Sequence, residues 1–409
     1  MEFIRIKILN QLILEVIFID GNKSCYIKIL IKIIYFIFII LLIINVLSMN
    51  NKFLIVKFLS TYNHFMKDCN NLKHYKRIKI RNNIPYVSIC LPVYNMKDYI
   101  ESFILSILNQ SFQDFEILVV NDYSNDITND IIIRLQLKDD RIRIINHSKN
   151  LGVYTSRVDA ILSSRGKYII LMDPDDMFLN PNLLEKLYNY NLKYNLDIIE
   201  FTVICFIEKN QTLKIINKYY HYHNFINTIF QPELSDLFFY YPGTYNNSRI
   251  QCRIIWNKII RRKILLNSVF YIGEDYYNKY FISAEDTMIN IICLHFTQNY
   301  SNINFPGYLY NIREISMSHG KRNKKNKILF CYNHLLYLKK LYIYIRDFNK
   351  PRNFLYYELR SIYKILLLNL KKYSKKYKIE IKKFFKEIYN DKYTSTLFKN
   401  YIKNLSSIL

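Results

Sequence analysis

At residues 171–176 the chain reads Leu-Met-Asp-Pro-Asp-Asp, directly after the apolar run Lys-Tyr-Ile-Ile at residues 167–170. The run predicts a buried strand, and three carboxylates follow where the chain leaves it. In a sheet covered on both faces, ligands bind at the carboxyl ends of the strands. Crowded carboxylates repel one another unless a cation lies between them, and hard oxygen ligands favour Mg²⁺ or Mn²⁺. The other interpretation is an acidic turn that caps the next helix, and this stretch alone leaves both open.

Strands and helices alternate around this stretch. Apolar runs predict strands at residues 86–91, 115–120, 141–145, 167–170 and 197–207, with Pro92 ending the first. Helical spacing predicts helices at residues 100–108, 131–137, 153–164 and 183–190. This order predicts an α/β fold with a doubly wound parallel sheet. No G-x-G-x-x-G follows the first strand and no G-x-x-x-x-G-K occurs, which argues against a dinucleotide dehydrogenase and a P-loop nucleotidase.

Five motifs follow one another in this half of the chain. They are Val-Ser-Ile-Cys-Leu-Pro-Val-Tyr-Asn at 87–95, Ser-Ile-Leu-Asn-Gln-Ser at 106–111, Val-Val-Asn-Asp-Tyr-Ser-Asn-Asp at 119–126, Asn-Leu-Gly at 150–152 and Gly-Lys-Tyr-Ile at 166–169. Their order and spacing resemble family 2 glycosyltransferases of the Rossmann-like GT-A fold. The resemblance implies transfer of a sugar, of the hexosyl or N-acetylhexosaminyl class, from a nucleotide-sugar to a hydroxyl of a glycan, lipid or protein. It also implies inversion at the anomeric carbon and a UDP-linked donor by default.

The resemblance implies donor-binding roles for residues at the strand ends. Pro92, Tyr94 and Asn95 resemble the loop beneath the nucleobase, and Asp122 resembles the aspartate that contacts the base. Arg157 matches an arginine that approaches the diphosphate, a target that suits a guanidinium fork. The alternative for Arg157 is a solvated charge on a helix face.

The acidic stretch resembles the family's D-x-D pair, which implies Mn²⁺ or Mg²⁺ as cofactor. Asp175 matches the direct metal ligand, and Asp173 is expected nearer the ribose. Asp176 either binds the metal through water or caps the following helix. Tyr123 departs from the family pattern, which usually has Gly there. If that position needs a positive φ, the tyrosine is strained.

Two further motifs complete the predicted site. Trp256, the only tryptophan, suits packing on an acceptor sugar, and the resemblance places Lys258 near the phosphates; a plain core tryptophan is the alternative. Glu285 and Asp286 begin a helix, and the favourable interaction of acidic residues with a helix N-terminus is one explanation for them. A displacement at an anomeric carbon also needs a carboxylate that takes the acceptor proton. The family's motif makes Asp286 that base and Glu285 its orienting neighbour or an acceptor contact.

Arg313 lies in a segment that resembles the family's Y-x-Y-x-x-R-x-x-S-x-S sequence, which implies a second approach to the diphosphate.

Composition divides the chain into five parts. They are an N-terminal segment (1–27), a transmembrane anchor (28–49), a stem (50–84), the GT-A domain (85–320) and a basic helical tail (321–409). The anchor is predicted because residues 33–49 are uncharged and mostly apolar, at the short end of what spans a bilayer; a buried core helix is the alternative. We therefore expect a single-pass protein of an endomembrane (ER/Golgi-type) or the plasma membrane. Lysines on both sides leave its orientation open.

The net charge of +25 is concentrated in the tail. Residues 321–409 hold 23 Lys or Arg against five Asp or Glu, a surplus of 18 positive charges. Basic amphipathic helices are typical of anionic membrane surfaces, and a small bundle with a solvated basic face is the alternative. The rival function is nucleic-acid binding through phosphate contacts, but no nucleic-acid motif accompanies the tail, so no nucleic-acid partner is expected. A third possibility is a donor-binding relative that has lost turnover, with Tyr123 as the cause.

The seven cysteines are scattered without a C-x-x-C pair, which favours neither a zinc site nor a disulfide framework. Cys90, Cys205 and Cys293 lie in apolar runs and are predicted to be core residues.

Overall fold

The computed structural model describes residues 84–209, 212–216, 228–230, 254–312, 324–348, 350, 355 and 375–390. The predicted N-terminal segment and anchor, nearly all of the stem, and Arg313 lie outside the described residues. Among the residues that are described, no helix combines the length and apolar character needed to span a membrane.

The sheet is built from strands that are distributed over the whole described domain. They are β1 (Val87–Val93), β2 (Phe115–Asn121), β3 (Ile142–Asn146), β4 (Tyr168–Leu171), β5 (Met177–Phe178), β6 (Ile198–Lys209), β7 (Thr212–Ile216), β8 (Ile229–Phe230), β9 (Lys258–Arg261) and β10 (Asn299–Ile312). The helices are α1 (Ile100–Leu108), α2 (Thr128–Gln136), α3 (Val153–Ser163), α4 (Leu183–Tyr194), α5 (Arg262–Ile272), α6 (Glu274–Tyr277), α7 (Glu285–Phe296), α8 (Lys324–Asp347) and α9 (Lys375–Asn390). The strands and helices predicted between residues 86 and 209 are all present, with ends that differ by a few residues.

The sheet is mixed, with strand order β3-β2-β1-β4-β9-β6-β10-β5. Strands β1 to β4 pair with one another in parallel, as predicted. Strand β9 then runs antiparallel to both β4 and β6, and β5 runs antiparallel to β10. The prediction of a parallel, doubly wound sheet is therefore wrong where β9 and β5 pair with their neighbours, although β6 and β10 are again parallel to each other. The reason is that β9 comes from residues far downstream and inserts between the fourth and fifth predicted strands.

Pro92 does not end β1, as the sequence predicted. The carbonyl of Cys90 accepts a hydrogen bond from the Met172 amide, so Cys90 faces β4, and Pro92, two residues on, faces the same side. Strand β4 pairs with β1 only as far as Cys90. The missing amide of Pro92 therefore leaves no ladder hydrogen bond unmade, and the strand continues to Val93.

The core is centred on β1 and β2, in which every residue is buried. Helix α3 packs against both strands, and α7 packs against α5 and α8. Cys90, Cys205 and Cys293 are buried, which confirms their prediction as core residues.

In the tail, α9 buries Phe384 and Phe385 and exposes Lys382, Lys383 and Lys386. The partner of that basic face stays a prediction.

A buried carboxylate ties the first three strands together. Glu116 on β2 accepts a hydrogen bond from the Ser88 hydroxyl at 2.6 Å and forms ion pairs with Arg143 at 2.7 Å and Arg165 at 3.0 Å. Burial alone raises the pKa of Glu116, but the two guanidinium groups and the hydroxyl outweigh it and lower the pKa. The amide of Gly166 in turn donates to the Ser88 hydroxyl at 2.8 Å.

We expect Gly166→Ala to lower the free energy of unfolding by about 2 kcal/mol, because overpacking a fixed backbone is costly. An added Cβ would lie 2.5 Å from the Ser88 amide nitrogen and 2.8 Å from the Val87 carbonyl carbon. Urea denaturation measures the change. The control is Lys167→Ala at the exposed neighbouring position, which should change stability by less than about 0.5 kcal/mol. Equal stability of the two variants would contradict the close approach of the strands.

Candidate active site

Arg157 joins two predicted motifs that are far apart in the sequence. This buried side chain of α3 donates from Nη2 to Asp173 Oδ1 at 2.6 Å and from Nη1 to Glu285 Oε1 at 2.7 Å. Its Nη1 also contacts the carboxylate of Asp286. The alternative of a solvated helix-face charge is therefore wrong for Arg157. One guanidinium brings the D-x-D stretch and the Glu285–Asp286 pair into a single site.

The three carboxylates around Arg157 differ in their access to solvent. The side chains of Asp173 and Asp286 are 29% and 20% exposed, whereas that of Glu285 is only 7% exposed. Burial raises the pKa of Glu285, and Arg157 only partly offsets this effect. Burial opposes the charged form of Arg157, but Asp173 and Glu285 outweigh it and raise the arginine pKa. Asp286 is thus the more solvent-accessible carboxylate of its pair.

The start of α7 aims both carboxylates at Arg157. Ala284, the residue before the helix, has a φ of 68° and offers no side-chain cap. A left-handed alanine is strained, and such strain is often found at functional sites. The carboxylates of Glu285 and Asp286 contact the arginine across the fold.

Asp122 is held firmly at the end of β2. Its Oδ1 accepts the Leu151 amide at 2.8 Å and lies 2.7 Å from His147 Nδ1, while its Oδ2 accepts the Gly152 amide at 2.8 Å. The buried carboxylate therefore has a fixed orientation beside the loop that precedes α3. The predicted contact with a nucleobase stays a prediction.

The predicted nucleobase loop is constrained and partly exposed. Asn95 and Tyr123 have φ values of 53° and 64°, so Tyr123 does occupy the left-handed conformation that glycine would suit. The two segments are bonded to each other, because the Asn95 amide donates to Ser124 Oγ at 3.0 Å and the Asn125 amide to Asn95 Oδ1 at 2.9 Å. The Tyr123 side chain is 55% exposed, Tyr94 is also exposed, and Pro92 lies buried within β1.

Asp176 is bonded to β10 and does not cap the following helix, while its predicted metal contact through water stays a prediction. Its Oδ1 accepts the Asn311 amide at 2.8 Å and its Oδ2 accepts the Tyr308 hydroxyl, so both oxygens are bonded to β10. The next helix begins only at Leu183, beyond β5, and capping by Asp176 is therefore wrong. Burial, then the neighbouring charges of Asp175 and Asp173, raise the pKa of Asp176 well above its usual range.

Asp173 and Asp175 are the predicted metal ligands, and their metal binding stays a prediction. Within the described part of the chain, no group of three or more His, Cys, Asp or Glu side chains is arranged to hold a metal ion. Mg²⁺ is usually bound by one or two carboxylates together with substrate phosphates and water. Two partly exposed aspartates at the end of β4 fit that pattern of donors.

Trp256 and Lys258 are core residues in this structure. Trp256 stacks on Tyr308 and Tyr310, with ring centroids 4.7 Å and 5.0 Å apart, which is the core alternative rather than the predicted acceptor platform. Lys258 is 0% exposed, and its Nζ bonds to Ile254 O and Asn257 Oδ1 at 2.8 Å and lies 3.5 Å from Glu200. A phosphate contact would require this ammonium to leave its buried partners.

His147 and Asp159 were not selected from the sequence. His147 directly follows β3 and lies between Asp122 and Asp159 of α3, with Nε2 3.0 Å from Asp159 Oδ2. The signal was available, because the strand-end rule that selected Asp122 also selects the residue after β3.

Comparison with known proteins finds several similar sequences. Residues 88–267 match the family described as glycosyl transferase family 2. An uncharacterized glycosyltransferase of Haemophilus influenzae is 26% identical over 334 residues, which cover 80% of this chain and 99% of that protein. The uncharacterized glycosyltransferase MJ1057 of Methanocaldococcus jannaschii is 31% identical over 269 residues, which cover 64% of this chain and 86% of that protein.

A solved structure, S. aureus TarS in complex with UDP-GlcNAc, is also similar. It shares 21% identity, with 62% of this chain and 66% of that chain covered, at a TM-score of 0.46. At that score the likeness supports no inference about ligands.

We expect Arg157→Gln to lower the free energy of unfolding by about 3 kcal/mol at pH 7, because it leaves buried carboxylates without a counter-charge. Adding Glu285→Gln should restore part of the loss, since it removes the most buried of these charges. The control is Arg134→Gln, which breaks an exposed ion pair with Glu101 and should cost less than about 1 kcal/mol. Equal losses for the two arginine variants, measured by urea denaturation, would mean that the cluster does not form.

Proposed function

The chain belongs to glycosyltransferase family 2, and from this membership we propose that it transfers a sugar from a nucleotide-sugar donor, UDP-linked by default, to an acceptor hydroxyl with inversion. The observation that supports the proposal is the contact of Arg157 with both Asp173 and Asp286. This contact supports the proposal because Asp173 is the aspartate expected on the donor side and Asp286 is the expected proton acceptor.

Asp286 is the proposed general base. It is the partly exposed carboxylate of its pair, and it takes the proton of the acceptor hydroxyl as that oxygen attacks the anomeric carbon. A single displacement from the face opposite the leaving group inverts the configuration. Arg157 holds the Asp286 carboxylate in place, and Glu285 fixes the guanidinium from the buried side.

Arg157 also reduces the repulsion between the acidic residues of the site and the diphosphate of the donor. Asp173 and Asp286 would repel an incoming diphosphate, and the guanidinium between them offsets that negative charge. Bound at Asp173 and Asp175, Mn²⁺ or Mg²⁺ would supply further neutralisation for the departing diphosphate. Asp122 and the loop with Pro92, Tyr94 and Asn95 bind the nucleobase end of the donor in this proposal.

We expect Asp286→Asn to lower turnover at least about 100-fold while leaving the affinity for the donor within about threefold, because the base acts only on the acceptor. A thermal-shift screen of nucleotide-sugars with Mn²⁺ identifies the donor, and UDP release with and without acceptor sugars measures turnover. Repeating the binding after EDTA treatment tests the metal. The matched control is Asp275→Asn, an exposed aspartate of α6 that should retain full activity.

Full activity in Asp286→Asn would remove this residue from the mechanism. No stabilisation by any nucleotide-sugar, with or without Mn²⁺, would contradict the proposed function itself. UDP release that acceptors never accelerate would favour the donor-binding relative without turnover, in which the strained Tyr123 is the first residue to replace. Nucleic-acid binding through the basic tail is not favoured, because family membership already accounts for the domain that holds the site.

Residues 28–49 are proposed to anchor the enzyme in an endomembrane or the plasma membrane, on the strength of their uncharged apolar stretch. We expect the full chain to stay in the membrane fraction through an alkaline carbonate wash and to dissolve only in detergent. Deletion of residues 1–49 should move the protein to the supernatant. A full chain that the carbonate wash releases would instead indicate peripheral attachment through the basic tail.

A further inference from the structure

His147 bridges two carboxylates that belong to different elements. Its side chain is buried at the end of β3, and its two ring nitrogens lie 2.7 Å from Asp122 Oδ1 and 3.0 Å from Asp159 Oδ2. A neutral imidazole can donate only one of these hydrogen bonds, whereas an imidazolium donates both. The geometry therefore suits the charged form of His147.

The bridge continues towards the residues that carry the proposed base. The hydroxyl of Tyr277 on α6 donates to Asp159, with distances of 3.0 Å and 2.9 Å to its two oxygens. The Tyr277 carbonyl accepts the Thr155 hydroxyl at 2.6 Å, and the Val153 amide donates to the Phe281 carbonyl at 3.3 Å. The stretch from residue 277 to residue 281, which leads to Asp286, is thus fastened to the start of α3.

Close packing at Gly152 reinforces this attachment. A Cβ there would lie 2.9 Å from the Phe281 carbonyl oxygen and 3.2 Å from a ring carbon of Tyr280. Gly152 also donates its amide to Asp122. The same loop therefore contacts both the nucleobase aspartate and the residues before the proposed base.

Asp122 and Asp159 stabilise the positive charge of His147. Burial opposes the imidazolium, but the hydrogen bonds to Asp122 and Asp159 outweigh it and raise the pKa of His147 to about 9. Tyr277 faces Asp159 from α6, and Tyr280 lies near Asp122, whose charge adds to burial in raising the Tyr280 pKa. His147 accordingly carries its charge at neutral pH.

We propose that His147 is a positioning residue, which fixes the Asp122 carboxylate for the donor nucleobase and couples it through Asp159 to the segment that carries Asp286. This inference rests on the proposed function, in which Asp122 contacts the base. His147 acts through Asp122 and Asp159 rather than on the donor directly, because its own side chain is buried. Without its positive charge, the buried Asp122 would lose its counter-charge and one of the donors that orient it.

Two substitutions separate the ends of the bridge. The amide nitrogen of Asn reaches approximately the position of Nδ1, and that of Gln the position of Nε2. His147→Asn therefore keeps a donor for Asp122, whereas His147→Gln keeps one only for Asp159. We expect UDP to bind about tenfold more weakly to His147→Gln, and within about threefold of the unaltered affinity to His147→Asn, by calorimetry on the full chain.

Thermal stability supplies the second readout. Both variants lose the imidazolium and should lose similar stability, so a difference in UDP affinity cannot come from unfolding. The stabilising contribution of a raised histidine pKa is fully present below about 6.5 and is lost as pH rises through about 9. The stability advantage of the unaltered protein over His147→Asn should therefore shrink across that interval.

The coupling to the base has its own test. Tyr277→Phe removes the hydroxyl on Asp159 but leaves the Asp122–His147 contact, so it should lower kcat several-fold and leave UDP affinity unchanged. If the unaltered protein, His147→Gln and His147→Asn bind UDP equally well, the positioning role is overturned while the proposed function stands. An equal loss of UDP affinity in both variants would have the same consequence. Failure of the unaltered chain to bind UDP would overturn both.

Discussion

The site depends on one guanidinium that serves three carboxylates. A buried charge is stable only when it is paired, and Arg157 is paired with residues from the end of β4 and the start of α7. Local backbone conformation positions both sides of this cluster. Gly152, with a positive φ, precedes α3, which carries Arg157, and the left-handed Ala284 precedes α7, which carries Glu285 and Asp286. Because the carboxylates outnumber the guanidinium, the site retains negative charge, which is the electrostatic condition that a divalent cation requires.

The sheet explains why those elements meet. Strand β9 inserts antiparallel between β4 and β6, and it brings residues downstream of β6 against the part of the sheet formed by β1 to β4. Polar residues at the start of β9 stabilise that junction. Lys258 and Asn257 contact the buried Glu200 of β6, and the Tyr300 hydroxyl of β10 completes this polar cluster. Lys258, which the family resemblance places near the phosphates, is therefore part of the buried polar cluster that joins β9 to β6.

Local patterns were enough to predict the first half of the fold. Strands β1 to β4 and their helices follow from hydrophobic periodicity, which is a property of a few consecutive residues. The position of β9 could not be predicted in this way, because its pairing joins residues about 90 apart in the chain. For Asp176, Lys258 and Trp256, residue type suggested chemistry, but burial against β10 and β6 decided their roles. Asp286 and Arg157 could be placed together only by a resemblance that spans both halves, and the only signal for His147 was its position directly after β3.

The ladder between β4 and β9 has a mechanical consequence. Only two residue pairs, Tyr168 with Arg261 and Ile169 with Ile260, register across this seam. Asp173 and Arg157 lie on one side of it, and α7 with Asp286 belongs to the other. Arg157 therefore adds a side-chain connection between two parts of the domain that this backbone ladder joins through only two residue pairs.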